Sequence, residues 1–440
     1  MKKAHLVILL FAITNFALAF SQHRWIHKEI LKYDGSGYYL YLPALIIYQD
    51  LGNLAFYNSI DSVYHPSNDI KQYGLYPQEN TKLKLNKYAI GTALGELPAF
   101  LIMHAYTRYY KTNYPADGYS MPYQFSVGMS NILWTIIGLI VLAAFLRNFF
   151  DDKIIALTLF IIGFGTNLFC YTSIEMGLSH TLEFLLFACV LYYTESWYRK
   201  PTYLKAILLG IFLGWILIVR PVDFLIFLVP VLWPIQNKKE FGQNRLQFLF
   251  HFRGHIMSSL IACFILAAIQ LAYWKYITGH FIHFSYQEEF FNFRQPEIVN
   301  GLFSFRKGWF IYTPVALIAM MGLFPLYFQN KKFILPILAF FIPFIYVVFS
   351  WSIWWYGWGF GARSMIESYA IISIPLAALL LWLWQQKTIL KYSGIIIFAL
   401  CIVLNIFQTR QFRHGLIDGE FATPKSYWEA YKTPSATIIK

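Results

Sequence analysis

Residues 123–146 read YQFSVGMSNILWTIIGLIVLAAFL, a run of 24 residues without Asp, Glu, Lys or Arg. A transmembrane helix needs about 20 predominantly apolar residues, because each residue advances a helix by about 1.5 Å and the hydrocarbon layer is about 30 Å thick. This stretch is long enough to cross, so it predicts a membrane span and, with it, the class of fold.

The composition of the whole chain agrees with that prediction. Of its 440 residues, 58% are hydrophobic and 13% are charged, whereas an average soluble domain has about 25% charged residues. The high apolar and aromatic content excludes a disordered chain, and four cysteines exclude a disulfide scaffold. The net charge of +13 indicates basic loops that face anionic membrane lipids, and we expect no nucleic-acid partner.

Apolar runs recur along the chain, and we predict an all-α polytopic membrane protein with about 12 transmembrane helices, in a range of about 11–13. The runs lie at 5–20, 88–107, 123–146, 154–171, 178–195, 203–219, 221–235, 256–274, 309–328, 333–351, 367–384 and 392–408. The first run ends in Ala17-Leu18-Ala19, so residues 1–19 are either a cleaved signal peptide or an uncleaved helix. Gly91, Gly95, Glu96 and Pro98 interrupt the second run, which leaves the number of crossings between 86 and 147 open.

Basic residues between the runs predict the orientation. Pairs such as Arg199-Lys200, Lys238-Lys239 and Lys331-Lys332 alternate with loops that are poor in cations. The positive-inside rule therefore places three segments on the outer side, namely the loops 276–308 and 352–366 and a short C-terminal tail, 409–440. The loop 21–86 is also outside if Lys2 and Lys3 lie inside. Residues 1–408 then form one transmembrane domain. The tyrosine-rich stretch 37–48 predicts helices that lie in the membrane interface.

Asp34 is the first candidate for chemistry. It lies in Tyr33-Asp34-Gly35-Ser36-Gly37-Tyr38-Tyr39, where two glycines permit a tight turn and the close approach of a ligand to the backbone. Its carboxylate is a candidate general base, or a metal ligand, at the outer surface. The structural alternative is a cap on the helix that follows. Tyr38 is a candidate contact for a sugar or a lipid.

The loop 351–368 holds four tryptophans, three glycines and one arginine, Arg363. Aromatic faces suit sugar rings and lipid head groups, and a guanidinium suits a phosphate. We therefore predict phosphate binding by Arg363 and sugar or lipid contacts by four side chains, Trp354, Trp355, Tyr356 and Trp358. The alternative is an aromatic belt at the membrane interface, with Glu367 neutralising Arg363 across one helical turn.

Further ionisable residues lie at the outer ends of the apolar runs. Arg306, Lys307 and Arg220 are candidate ligands of a donor phosphate. The alternatives are snorkelling cations at a helix end, for Arg306 and Lys307, and a structural pair of Arg220 with Asp223.

Three more residues are accessory candidates, namely Lys87, Glu175 and His180. Glu175 and His180 have the spacing of half a metal site, although a helix-terminal histidine with a local hydrogen bond is the favoured interpretation. Metal use therefore stays open. The chain has no Walker-type glycine loop and no CxxC or HExxH motif, so we expect no nucleotide or redox cofactor.

The order of these motifs resembles the C-type integral-membrane glycosyltransferases (GT-C), which include the protein O-mannosyltransferases and the bacterial lipid A aminoarabinose transferases. The similar features are a short first helix, an outer loop that opens with Asp34, and four stretches, 86–94, 220–221, 306–314 and 356–363. The resemblance covers residues 1–385. Gly35 follows Asp34 where several members of the family carry a second acidic residue, which leaves a divalent metal requirement in doubt.

That resemblance implies a glycosyltransferase of a bacterial inner membrane with its active site on the periplasmic face. A sugar would pass from a polyprenyl-phosphate donor to a lipid, glycan or protein acceptor, with inversion at the anomeric carbon and Asp34 as the base. Two other functions remain as alternatives. One is a transporter or flippase of lipid-linked sugars, and the other is a ligase or polymerase of lipid-linked glycans.

Overall fold

The computed structural model describes residues 2–67, 72–79, 81–110, 113–235 and 244–432. It is mostly helical, at 69%, which confirms the predicted helical class. Lys238 and Lys239 lie outside the described residues, and so does the part of the predicted tail from 433 to 440.

The helices of the first half have these bounds: α1 (Lys3–Gln22), α2 (Tyr33–Tyr39), α3 (Tyr41–Ile46), α4 (Tyr57–Tyr64), α5 (Gly91–Tyr109), α6 (Met121–Leu146), α7 (Asp152–Gly165), α8 (Leu168–Ser173), α9 (His180–Arg199), α10 (Tyr203–Val219) and α11 (Leu228–Leu232). A 3₁₀ helix, Pro221–Phe227, leads into α11. Between α4 and α5 lies a short antiparallel hairpin of β1 (Leu75–Pro77) and β2 (Lys84–Asn86), in which Tyr76 pairs with Leu85.

The helices of the second half are α12 (Arg245–His251), α13 (Arg253–Thr278), α14 (Ile298–Phe303), α15 (Trp309–Tyr312), α16 (Pro314–Met321), α17 (Leu323–Asn330), α18 (Ile334–Val348), α19 (Tyr369–Trp384), α20 (Thr388–Arg413) and α21 (Pro424–Lys432). Two further 3₁₀ helices are Lys331–Phe333 and Arg363–Met365.

Five helical segments of the described chain are long and apolar enough to cross a membrane, namely α1, α6, α13, α20 and the segment Pro314–Val348 that joins α16 to α18. Helices α10 and α19 and the segment Pro221–Leu232 are apolar but shorter. The helices are therefore compatible with a multi-pass membrane protein, whereas the prediction of about 12 spans is not confirmed. Breaks account for part of this difference. Thr166, with an extended backbone, ends α7 and divides the predicted run 154–171.

The main hydrophobic core surrounds α19. Its residues from Tyr369 to Leu380 are all buried, and the helix packs against α7, α9, α16 and α17. A helix that is enclosed by other helices needs no polar face. This explains why the sequence of α19 is apolar all round.

Much of the segment 21–86 packs into a second hydrophobic core. Tyr39 and Tyr41 are buried there, and their hydroxyls donate hydrogen bonds to the carbonyls of Gly118 and Tyr88, each at 2.5 Å. Helices α2 and α3 form in and beside the predicted stretch 37–48, and Tyr38 is buried together with Tyr39 and Tyr41. The position of these helices in the membrane interface stays a prediction. The membrane interface and a protein interior with free carbonyl groups both favour a ring with a polar tip. A tyrosine-rich pattern therefore does not distinguish them.

Helices α10 and α13 approach each other at two glycines of α10. A β-carbon at Gly210 would lie 2.0 Å from the carbonyl oxygen of Ser259, and one at Gly214 would lie 2.5 Å from that of Cys263. Small residues four positions apart form one face of a helix and let two backbones come close, which is a common way for helices to associate in lipid. The pair therefore fixes the position of α10, whose last turn leads to Arg220.

We expect the substitution Gly210→Ala to destabilise the protein by about 1–3 kcal/mol, because the added methyl group would overlap the backbone of α13. The measurement is the thermal unfolding midpoint of the purified protein in detergent. The control is Ile207→Ala, on an exposed part of the same helix. A midpoint for Gly210→Ala at or above that of the control would contradict close packing of α10 on α13.

Candidate functional site

A cavity of about 990 Å³ lies where α2, the end of α10 and the segments around residues 88 and 356 meet. Pockets for small molecules usually have about 300–1,000 Å³, so a sugar phosphate fits this space. Ten predicted site residues line it, namely Asp34, Tyr38, Lys87, Glu175, His180, Arg220, Trp355, Tyr356, Trp358 and Arg363. The fold thus brings most of the candidates from five distant stretches of the chain into one place.

Asp34 holds two strong hydrogen bonds in the cavity wall. Arg363 donates from a terminal guanidinium nitrogen to Oδ2 at 2.7 Å, and the Tyr88 hydroxyl donates to Oδ1 at 2.5 Å. Asp34 does not cap α2, because within the described chain that helix begins after Lys32 without a side-chain cap. The partner of Arg363 is therefore Asp34, and the predicted neutralisation by Glu367 is wrong.

Two glycines of α2 let other backbone and ring atoms approach Asp34. A β-carbon at Gly37 would lie 2.1 Å from a ring carbon of Tyr88, and one at Gly35 would lie 2.8 Å from the carbonyl oxygen of Gly177. No side chain fits at either position without displacing its neighbour. The Gly-Ser-Gly pattern after Asp34 therefore holds the phenol of Tyr88 against the carboxylate.

The surroundings of Asp34 keep it ionised. Burial alone would raise the pKa of Asp34, but the guanidinium of Arg363, the Tyr88 hydrogen bond and the charge of Lys87 outweigh it. The pKa consequently lies below its ordinary value. Asp34 is a carboxylate at neutral pH, as a base must be before it accepts a proton.

The glycine-rich part of the loop 351–368 carries the aromatic residues of the site. Gly361 has φ +59°, and Tyr356 has φ +56°, which is uncommon for a residue with a side chain. Trp355 and Trp358 line the cavity, and the Trp355 indole donates to a Glu420 carboxylate oxygen at 3.2 Å. Trp354 is buried beside Trp355 and is not part of the cavity wall that the structure describes.

Arg306 and Lys307 lie behind that loop instead of in the described cavity wall. The Arg306 guanidinium lies 3.5 Å from the ring centre of Trp355, and its Nε donates to the backbone carbonyl of Glu420 at 2.7 Å. The buried Lys307 amine donates to the carbonyl of Gly359. Burial and the nearby charge of Arg363 lower the pKa of Lys307 well below its ordinary value. Both residues thus support the loop.

Arg220 forms a buried ion cluster on another wall. Its guanidinium nitrogen lies 2.5 Å from Glu367, 3.4 Å from Glu183 and 3.8 Å from Asp223. The predicted pair with Asp223 is present but is the longest of the three contacts. His180 belongs to the same cluster, and potential ligand atoms of His180, Glu183 and Glu367 all lie within 4.8 Å of one another.

Glu175 does not join His180 in half a metal site. Its carboxylate lies 3.3 Å from a guanidinium nitrogen of Arg24, whereas the His180 imidazole faces the carboxylates of Glu183 and Glu367.

Lys87 was predicted from the sequence, but several cavity residues around it were not. Lys87 donates to Glu289 at 2.9 Å, and its amine lies 5.1–5.4 Å from the ring centres of Tyr73, Tyr88 and Tyr286. Trp351 donates to the other oxygen of Glu289 at 3.0 Å. Tyr88 follows Lys87 directly in the sequence, so the predicted role of Lys87 was a signal for it. Glu289 has no local signal that distinguishes it from Glu288.

No known protein-family model matches the chain, and no curated protein matches it. Its function is therefore inferred from the chemistry of the cavity.

We expect Arg363→Gln to raise the pH at which Asp34 takes up a proton, because burial then dominates the pKa of Asp34. Because the pKa of Asp34 is lower in the folded protein than in the unfolded chain, the ion pair stabilises the fold at pH values above the ordinary pKa of Asp. This stabilisation is lost as the pH falls through the lower pKa of the folded state. The measurement is the carboxyl stretch in infrared difference spectra against the matching Asp34→Asn protein. Arg306→Gln removes a charge without a contact to Asp34 and is the control. An unchanged or lower protonation pH in Arg363→Gln would contradict the assigned pairing.

Proposed function

We propose that this chain is a membrane glycosyltransferase of the GT-C type that moves a sugar from a polyprenyl-phosphate donor to a lipid, glycan or protein hydroxyl. The observation that carries the proposal is the contact of Asp34 with Arg363, 2.7 Å apart in the wall of a cavity of about 990 Å³. Glycosyl transfer from a phosphate needs a base for the acceptor and a cation for the leaving group. Asp34 can accept the proton of the acceptor hydroxyl, and Arg363 can bind the departing phosphate.

At the anomeric carbon, the reaction forms one bond and breaks one. The acceptor oxygen attacks the anomeric carbon while its proton passes to the carboxylate of Asp34. The bond from that carbon to the phosphate oxygen breaks, and polyprenyl phosphate leaves with the electron pair. Attack opposite the leaving group inverts the anomeric carbon. The leaving group is already an anion, so it needs charge stabilisation and no proton, which a guanidinium provides.

The ion pair links donor binding to the strength of the base. A phosphate that enters the cavity competes with Asp34 for Arg363. Once Arg363 turns towards the phosphate, Asp34 loses the nearest charge that holds its pKa down, so it becomes a stronger base. The carboxylate is therefore most reactive when the donor is in place.

Other residues of the wall suit the rest of the donor. Trp355 and Trp358 offer aromatic faces to the sugar or to the first units of the lipid, and Trp358 is 54% exposed. Lys87 lies on the Asp34 side of the cavity, and Arg220 lies beside the glycine-rich loop, with its guanidinium 5.7 Å from the Tyr356 ring centre. Tyr38 lines the same space and is an acceptor or sugar contact.

The position of the cavity supports an active site on the outer face of a bacterial cell membrane. The three loops predicted to lie on the outer side each contribute to its wall, with Asp34 from 21–86, Glu289 from 276–308 and Trp355 from 352–366. A polyprenyl-phosphate donor is anchored in that membrane, so its head group reaches an outer cavity directly.

We expect Asp34→Asn to reduce sugar transfer by about 10²–10⁴-fold, the usual contribution of a general base. The measurement is transfer from radiolabelled polyprenyl-phosphate sugars in membranes, with expression matched by immunoblot. Asp61→Asn is the control, because it makes the same change in the same loop outside the described cavity wall.

Transfer by Asp34→Asn at the level of the control would contradict the assignment of the base. A wild-type protein that transfers no sugar from any donor, but moves lipid-linked sugar across vesicles, would replace the transferase with a transporter.

A further inference from the structure

The cluster around Arg220 places three carboxyl groups around one guanidinium. The carboxyl groups of Glu183, Asp223 and Glu367 are fully buried, and Arg220 is 12% exposed. When all three carboxyl groups are ionised and His180 is neutral, the cluster has a formal charge of −2. Burying an unpaired charge is costly, so an arrangement of this kind calls for a further cation.

Several polar atoms of the cluster have no hydrogen-bond partner among the residues that the structure describes. They are Nδ1 of His180, Oε1 of Glu183, Oε2 of Glu367 and both side-chain oxygens of Asp223. His180 is only 5% exposed, so bulk water does not satisfy its ring nitrogen. Buried polar atoms in folded proteins are nearly always paired, which indicates that a bound group contacts part of this set, beginning with Nδ1 of His180 and Oε2 of Glu367.

The spacing of these atoms fits a small cation. Nδ1 of His180 lies 3.5 Å from Oε2 of Glu183 and 3.6 Å from Oε2 of Glu367. Zinc binds nitrogen and oxygen ligands at about 2.0–2.2 Å in a tetrahedron, whose ligands are then about 3.3–3.6 Å apart. Ligand atoms of Glu183 and Glu367 also lie within 4.8 Å of each other, so one ion can reach all three side chains.

We propose that His180, Glu183 and Glu367 form a binding site for a divalent transition metal of the zinc class. One imidazole and two carboxylates are the ligands that such an ion accepts, and three protein ligands leave a fourth position free. His180 lies in the cavity wall, so the proposed ion would lie directly behind that wall. A charge of +2 brings the formal charge of the cluster to zero.

The ion would have a positioning role that does not depend on the proposed transfer reaction. It would join α9, which contains His180 and Glu183, to Glu367, four residues after Arg363. Asp34 is not among its ligands. Metal binding would therefore hold the end of the loop 351–368 against α9 and stabilise the folded chain.

The test measures metal binding and needs no glycosyl transfer. The full-length protein is purified in detergent, treated with a chelator and desalted, and then titrated with zinc or cobalt(II). We expect about one ion per chain, the intense visible absorption of tetrahedral cobalt(II), and a higher unfolding midpoint with metal. The variant Glu183→Gln should weaken binding by at least about 10–100-fold. Loss of a residue that only hydrogen-bonds to a metal ligand already has an effect of that size, and Glu183 is itself a ligand.

Glu175→Gln is the matched control, since it removes a carboxylate that lines the same cavity but pairs with Arg24. Unaltered cobalt(II) binding in this variant is the expected result. Wild-type protein that binds neither ion at millimolar concentration would overturn the proposal and show that protons neutralise the cluster. Equal binding by Glu183→Gln and Glu175→Gln would also overturn it.

Discussion

The ion pair of Asp34 with Arg363 joins α2 to the loop 351–368 across 329 positions of the chain. Both side chains are more than four-fifths buried, so each needs the other, and losing one partner of such a pair costs about 3–5 kcal/mol. The surrounding structure serves this contact. Gly37 in α2 admits the ring of Tyr88, and glycines in the loop 351–368 bend the chain so that Arg363 reaches the cavity.

Four cations of the described cavity wall have acidic partners. Arg363 pairs with Asp34, Lys87 with Glu289, Arg24 with Glu175, and Arg220 with a group of three carboxylates. An anionic ligand must therefore exchange partners with a carboxylate. This arrangement favours ligands with enough charge to compete, such as a phosphate, over neutral sugars. The exchange also couples binding to chemistry, because the carboxylate that loses its partner is the proposed base.

Much of the fold and part of the site follow from local sequence. Long apolar runs predict helices, and Asp34 and Arg363 are conspicuous as charges among glycines and aromatic rings. Their pairing has no local signal, because it depends on how the helices pack. Glu367 is closer to Arg363 in sequence than Asp34 is. It follows a 3₁₀ turn, Arg363–Met365, and pairs with Arg220 instead. Hydropathy also misses the breaks at Thr166 and Thr313, where the backbone leaves the helical conformation.

The most direct test of the central claim is a cryo-EM structure of the protein with a bound polyprenyl-phosphate sugar analogue that does not react. We predict that a phosphate oxygen lies within hydrogen-bonding distance of the Arg363 guanidinium, with Arg363 moved away from Asp34 and the anomeric carbon facing the freed carboxylate. A phosphate bound elsewhere, with the contact of Asp34 and Arg363 intact, would contradict the account.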